Sequence, residues 1–132
     1  MSRTYEFLKQ CDFFVVTTVS DAAPAARPFG AVMEYENELY ISTANTKAVY
    51  SQFKENPLVQ IVALKAGTRD WIRVSGKAIE VYDLDAKQAM LDACPVLLRH
   101  FDTKECARFA LFKILEMKSV LHTAGGIANL EQ

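Results

Sequence analysis

The apolar period changes repeatedly along the chain. Between residues 3 and 11, Tyr5, Phe7, Leu8 and Cys11 recur at roughly helical spacing, which predicts a short amphipathic helix over one end of a core. Phe13 to Val19 is β-branched and aromatic without a break, the pattern of a strand buried on both faces. Asp21-Ala22-Ala23-Pro24 marks a turn, and Ala25 to Tyr35 reads as one return strand with Arg27, Phe29, Ala31, Met33 and Tyr35 sharing a face. Glu36-Asn37-Glu38 leads tightly into a strand at Leu39-Tyr40-Ile41. A helical pattern then enters at Thr46 or Lys47 and runs to about Lys54, stopped by Glu55-Asn56-Pro57. Leu58 to Leu64 is another apolar strand, and Thr68 to Tyr82 is the longest alternating segment. Asp83-Leu84-Asp85 caps a helix through Ala93, and Pro95 restarts a shorter one through Phe101. Arg108 to His122 is a final strand long enough to cross between two parts of a barrel, followed by a weakly patterned tail, Thr123 to Gln132, expected to be mobile. Short links dominate, so the expected fold is mainly β: one domain, 1–132, a mostly antiparallel sheet closed into a small barrel with peripheral α-helices.

Composition narrows the class without changing that picture. Hydrophobic residues make up 51% and charged residues 23% of 132, an ordinary balance for one globular domain. A net charge of −1 offers no basic surplus for nucleic acid or an anionic membrane. No apolar run approaches a membrane span, and the start, Met1-Ser2-Arg3-Thr4-Tyr5-Glu6, lacks the pattern of a signal peptide. Cys11, Cys94 and Cys106 form no Cys-x-x-Cys pair, and with only His100 and His122 beside them there is no metal constellation. Reduced thiols and a cytoplasmic location are the expectation.

Three places ask for chemistry. In Tyr40 to Phe53, Ser42, Thr43, Asn45 and Thr46 can each offer a hydrogen bond at a helix start; with Lys47 and free backbone N–H groups this is either an anion pocket or a well-capped helix with a solvated lysine. Arg27, amid a largely apolar strand, either snorkels from the strand end or clamps an anion, and the neighbouring Pro28 and Gly30 suit a strand end lining a ligand. Trp71, Arg73, Ser75 and Lys77 share one face of the longest strand, as in an interface or ligand wall, or as an exposed Trp covering a sheet edge. His100 reads as a surface helix residue.

Four local features in this order, Ala26-Arg27-Pro28-Phe29, Tyr40-Ile41-Ser42-Thr43 with Thr46-Lys47, Glu55-Asn56-Pro57, and Trp71-Ile72-Arg73-Val74-Ser75-Gly76-Lys77-Ala78, resemble the pyridoxamine 5′-phosphate oxidase-like family of FMN-binding split barrels over about Tyr5 to Leu121. The resemblance implies a homodimer with FMN at the subunit interface. Arg27 and Lys47 would hold the phosphate, with Ser42, Thr43 and Thr46 supplying donors. Backbone of Pro28 and Phe29 would run beside the isoalloxazine ring, and Trp71, helped by Arg73, would reach the partner's flavin. The implied activity is that of an FMN-dependent oxidoreductase on a small substrate; catalytic residues stay unassigned. Similar barrels include flavin or haem carriers and redox sensors, for which His100 or His122 is the candidate iron ligand, and deazaflavin-dependent reductases. Without an Arg and His pair for pyridoxal phosphate, or a segment beyond the last long strand like that which completes substrate binding in the true oxidases, the chain is expected to be a small member outside the pyridoxine pathway.

Overall fold

The computed structural model describes residues 2–131. Helix α1 (Arg3–Lys9) leads into β1 (Phe14–Ser20), β2 (Ala23–Phe29), β3 (Val32–Tyr35) and β4 (Glu38–Ala44), then α2 (Ala48–Glu55). Strands β5 (Leu58–Leu64) and β6 (Trp71–Val81) follow. After them come α3 (Leu84–Ala93), a 3₁₀ turn (Pro95–Leu97), α4 (Leu98–Phe101), β7 (Phe109–Thr123) and β8 (Gly126–Glu131). All ladders are antiparallel, in the order β2-β1-β5-β6-β7-β4-β3, with β8 added to β7. Among the described residues no ladder joins β2 to β3; the backbone itself crosses that seam at Gly30-Ala31, so the barrel is split.

Two hairpins have two-residue turns with both central residues at positive φ, Asp21 (50°) with Ala22 (63°) and Glu36 (50°) with Asn37 (65°). That backbone matches the right-handed twist of the flanking strands. The long strand β7 works in two halves. Phe109 to Ile114 pairs with β4, and Ser119 to Thr123 pairs with β8, while β6 lies along both. The register shifts between Ser75 and Lys77, where Glu116 adopts φ 52°. Only glycine fits at Gly76, because a Cβ there would lie 2.7 Å from the Ile114 side chain and 2.9 Å from the Leu115 carbonyl oxygen.

The core has two parts. Val16, Ile41, Phe53, Ile61, Ile72, Val74, Phe112 and Ile114 fill the barrel. On the other side of β3, β4 and β7, Met33, Tyr40, Met90, Leu91, Phe101, Phe109 and Leu111 pack under α3 and α4. Strand β4 therefore has both faces covered, with Leu39 to Ala44 buried throughout.

Four expectations are corrected. It is β4, not Phe13 to Val19, that is buried on both faces: in β1 only Phe14, Val16 and Thr18 turn inward and are buried, as a strand at the barrel wall should alternate. The return strand is two strands, broken at the seam. The tail is not loose, since Gly126 to Glu131 forms β8, paired from Ser119 to Thr123 and tied by a hydrogen bond from the Thr4 hydroxyl to the Glu131 carboxylate; Gln132 lies outside the described residues. Finally, Ser42 and Thr43 belong to β4 and do not cap α2.

Candidate functional site

The break between β2 and β3, the end of β4 and the start of α2 open onto one cavity of about 430 Å³. Arg27, Pro28, Phe29, Ser42, Thr43, Thr46 and Lys47 all line it, so seven of the nine residues singled out in the sequence converge. The fold brings them together simply. The hairpin β3–β4 carries the chain back beside the seam, and the turn Asn45 to Lys47 then swings α2 across the barrel mouth.

Arg27 is held firmly. It sits opposite Val16 in the β1–β2 ladder, and its guanidinium donates to the Val16 carbonyl (3.1 Å), to the Thr18 hydroxyl (3.0 Å) and to the Gln52 side-chain oxygen of α2. The Thr18 hydroxyl in turn donates to the same Gln52 oxygen at 2.6 Å. All three acceptors of Arg27 are neutral, so its charge is oriented but not cancelled. Partial burial presses its pKa below the ordinary value, without threatening its protonation.

Lys47 is the residue before α2, with extended backbone and no side-chain cap on the helix. The first N–H groups of α2 are thus left for solvent or an anion. Asn45 does not cap either: its side chain donates to the Ala107 carbonyl (2.9 Å), and its backbone N–H donates to the Arg108 carbonyl (2.9 Å). Ser42 contributes an orphan, its buried hydroxyl oxygen having no partner among the described residues. A polar atom in that state carries a desolvation cost that a ligand hydrogen bond would relieve.

The far wall was not anticipated. Val96, Leu97, His100, Phe101 and Arg108 come from the 3₁₀ turn, α4 and the turn just before β7. Arg108 donates to the His100 carbonyl (2.6 Å) and lies 5.8 Å from the Phe101 ring centre, while Phe101 stacks on Phe109 at 4.7 Å and 16°. The only available signal was Arg108 itself, a cation immediately before an apolar strand, the same cue that marked Arg27. The cavity wall therefore carries Arg27, Lys47 and Arg108 and no carboxylate. Among the described residues the ion pairs are Lys54–Glu80 and Lys77–Glu116, so no carboxylate of those residues neutralises any of these three cations. Phosphate or carboxylate is what such a wall attracts.

Trp71 and Arg73 are not at this cavity. They lie on the outer face of β6, where Trp71 stacks on His122 at 4.0 Å and 4° and Arg73 sits 5.0 Å from the Trp71 ring centre. His122, opposite Trp71 in the β6–β7 ladder, has a buried Nε2 without a partner among the described residues. The two histidines thus occupy separate places, His100 at the cavity and His122 on the outer sheet.

The sequence model of pyridoxamine 5′-phosphate oxidase matches residues 3–117. Among solved structures, a NimC/NimA family protein from Clostridium acetobutylicum is 32% identical with a TM-score of 0.92, over 97% of this chain and 89% of that one. General Stress Protein 26 from Bacillus anthracis str. Sterne superposes with a TM-score of 0.75 at 19% identity, covering 96% of this chain and 95% of that one. A pyridoxamine 5′-phosphate oxidase-related, FMN-binding protein from Nostoc punctiforme PCC 73102 gives 0.68 at 16% identity, over 96% and 82%. No curated protein matches in sequence. The family match over most of the chain, on a barrel open at the β2–β3 seam, leads to one conclusion: the chain belongs to the pyridoxamine 5′-phosphate oxidase-like family of FMN-binding split barrels.

Proposed function

We propose that the chain is an FMN-dependent oxidoreductase of small molecules that works as a homodimer. The observation that carries the reading is the wall of un-neutralised cations, with no carboxylate, beside the uncapped start of α2. Lys47 and the first N–H groups of α2 bind the FMN phosphate, and Arg27, locked by Thr18 and Gln52, offers a pre-oriented fork from the β2 side. Ser42, Thr43 and Thr46 supply hydroxyls at the floor, and the exposed backbone at Pro28 and Phe29 flanks the ring, the Phe29 side chain being engaged with Phe14 and Phe53 in the core. FMN, when bound, supplies the electron and hydride chemistry. The residues around it bind, orient and exclude water.

The dimer reading rests on the outer sheet. Two rows cross it, Leu64–Trp71–His122–Ile127 and Val15–Val62–Arg73–Val120, in ladder register. Leu64 is 59% and Ile127 69% exposed, an apolar strip that a second copy would cover while delivering Trp71 and Arg73 to its cofactor.

Titrating the purified apoprotein with FMN and following flavin fluorescence tests the phosphate site. Lys47→Ala should weaken FMN binding by about tenfold or more, the worth of one charge-assisted contact. Equal affinity in the variant would remove Lys47 from the site. A Soret band in the protein as isolated would instead favour haem.

A further inference from the structure

We propose that Arg108 forms an anion subsite separate from the cofactor phosphate, so that the substrate taken by this pocket is a small carboxylate with an apolar body. This rests on the flavin reading above.

The two arginines of the cavity are anchored to different elements. Arg27 is tied to β1 and α2, whereas Arg108 is tied to α4, through the His100 carbonyl and the face of Phe101. The two guanidinium groups are therefore fixed on different walls of one cavity and do not move as a unit. Arg108 uses one N–H group on His100, and the four remaining donors of its fork have no partner among the described residues. A guanidinium laid on a ring and pinned at one nitrogen has lost much of its rotamer freedom beforehand, which favours planar, two-point recognition of a carboxylate.

Charge counting points the same way. A bound phosphate monoester brings a charge of about −1.5 to −2, which Lys47 and Arg27 offset. Arg108 is then left over, one positive charge in a cavity wall without an acidic residue, and so the remaining space prefers a monoanion. In the same lining, Val96 (56% exposed) and Leu97 provide an apolar shelf on the 3₁₀ turn, Leu97 packing against the core cluster that holds Phe101 and Phe109. An exposed valine and a pinned guanidinium lining one cavity suit an aromatic or branched carboxylic acid better than a sugar or a cation.

Benzoate and its neutral isostere benzamide separate the alternatives. With the FMN-loaded protein, benzoate should perturb the flavin absorption spectrum at least about tenfold more tightly than benzamide, and Arg108→Ala should erase that preference. FMN affinity in Arg108→Ala should stay within about twofold of wild type, in contrast to Lys47→Ala. Arg108→Lys, which keeps the charge but not the fork, should recover only part of the preference and serves if the alanine variant fails to fold. Equal binding of benzoate and benzamide overturns the subsite, as does an Arg108 variant that loses FMN as Lys47→Ala does, since Arg108 would then belong to the phosphate. If the wild-type protein takes up no FMN, the flavin reading fails by itself. Calorimetry of benzoate with the apoprotein then decides the subsite: Arg108-dependent binding keeps it, and no binding removes it.

Discussion

Ala22 holds a backbone conformation that its side chain does not favour. Its φ of 63° is left-handed, costing an L-residue about 1–2 kcal/mol, and unlike Asn37 at the equivalent place in the other hairpin it has no polar side chain to compensate. The turn survives because seven register pairs between β1 and β2 hold it. Ala22→Gly relieves the clash and loses about 0.5–1 kcal/mol to chain entropy, so the net gain should be about 0.5 kcal/mol. In differential scanning calorimetry that is a rise in Tm of about 2 °C; an unchanged or lower Tm would mean that Asp21 and Ala22 relax together. The same scale shows what single residues disclose. Arg27 and Lys47 were legible because a cation in an apolar strand and a cation at a helix start both demand partners. Arg108 carried the same cue more weakly, at the edge of an apolar strand and not within it, and nothing local says that its carbonyl will meet the Asn45 N–H at the end of the β4–β7 ladder.

At the scale of elements, α2 decides whether the cavity exists, and its far end is tied down by one carboxylate. Glu80 on β6, with 7% of its side chain exposed, accepts from the Tyr50 hydroxyl (2.7 Å), the Lys54 ammonium (2.9 Å) and the Tyr82 hydroxyl (2.9 Å). Burial pushes its pKa up, and the three donors outweigh that and hold it below the ordinary 4.5. A depressed carboxylate stabilises the fold fully above its unfolded value and loses that contribution as the pH falls through the folded value. Urea midpoints should therefore decline below about pH 4.5, while Glu80→Gln should cost about 1–2 kcal/mol at neutral pH and flatten the acid decline. A variant with the wild-type acid slope would place that slope on other carboxylates. Element existence was largely readable, because β-branched runs, Asn56-Pro57 and the Asp83 cap are local signals. Strand β8 was not: Gly126 to Glu131 has little pattern of its own and becomes a strand only because the second half of β7 has an open edge.

For the whole molecule, the question is how the outer face of β6 relates to a cavity it does not line. The dimer reading predicts that sedimentation velocity gives twice the monomer mass, and that Trp71→Ala lowers FMN affinity although Trp71 does not line its own chain's cavity. A monomer that binds FMN with full affinity would exclude it. Nothing in one sequence reveals which faces a second copy covers; Trp71 and Arg73 could be marked as unusual, but not assigned a neighbour.

The unladdered seam between β2 and β3 has a kinetic consequence. A ligand arriving at Gly30-Ala31 meets two strand edges that no ladder joins among the described residues, so entry and exit need not break a ladder hydrogen bond. Exchange of the proposed FMN would then run on the timescale of loop motion rather than of unfolding. The protein is free to be long-lived as a fold and quick to load and unload.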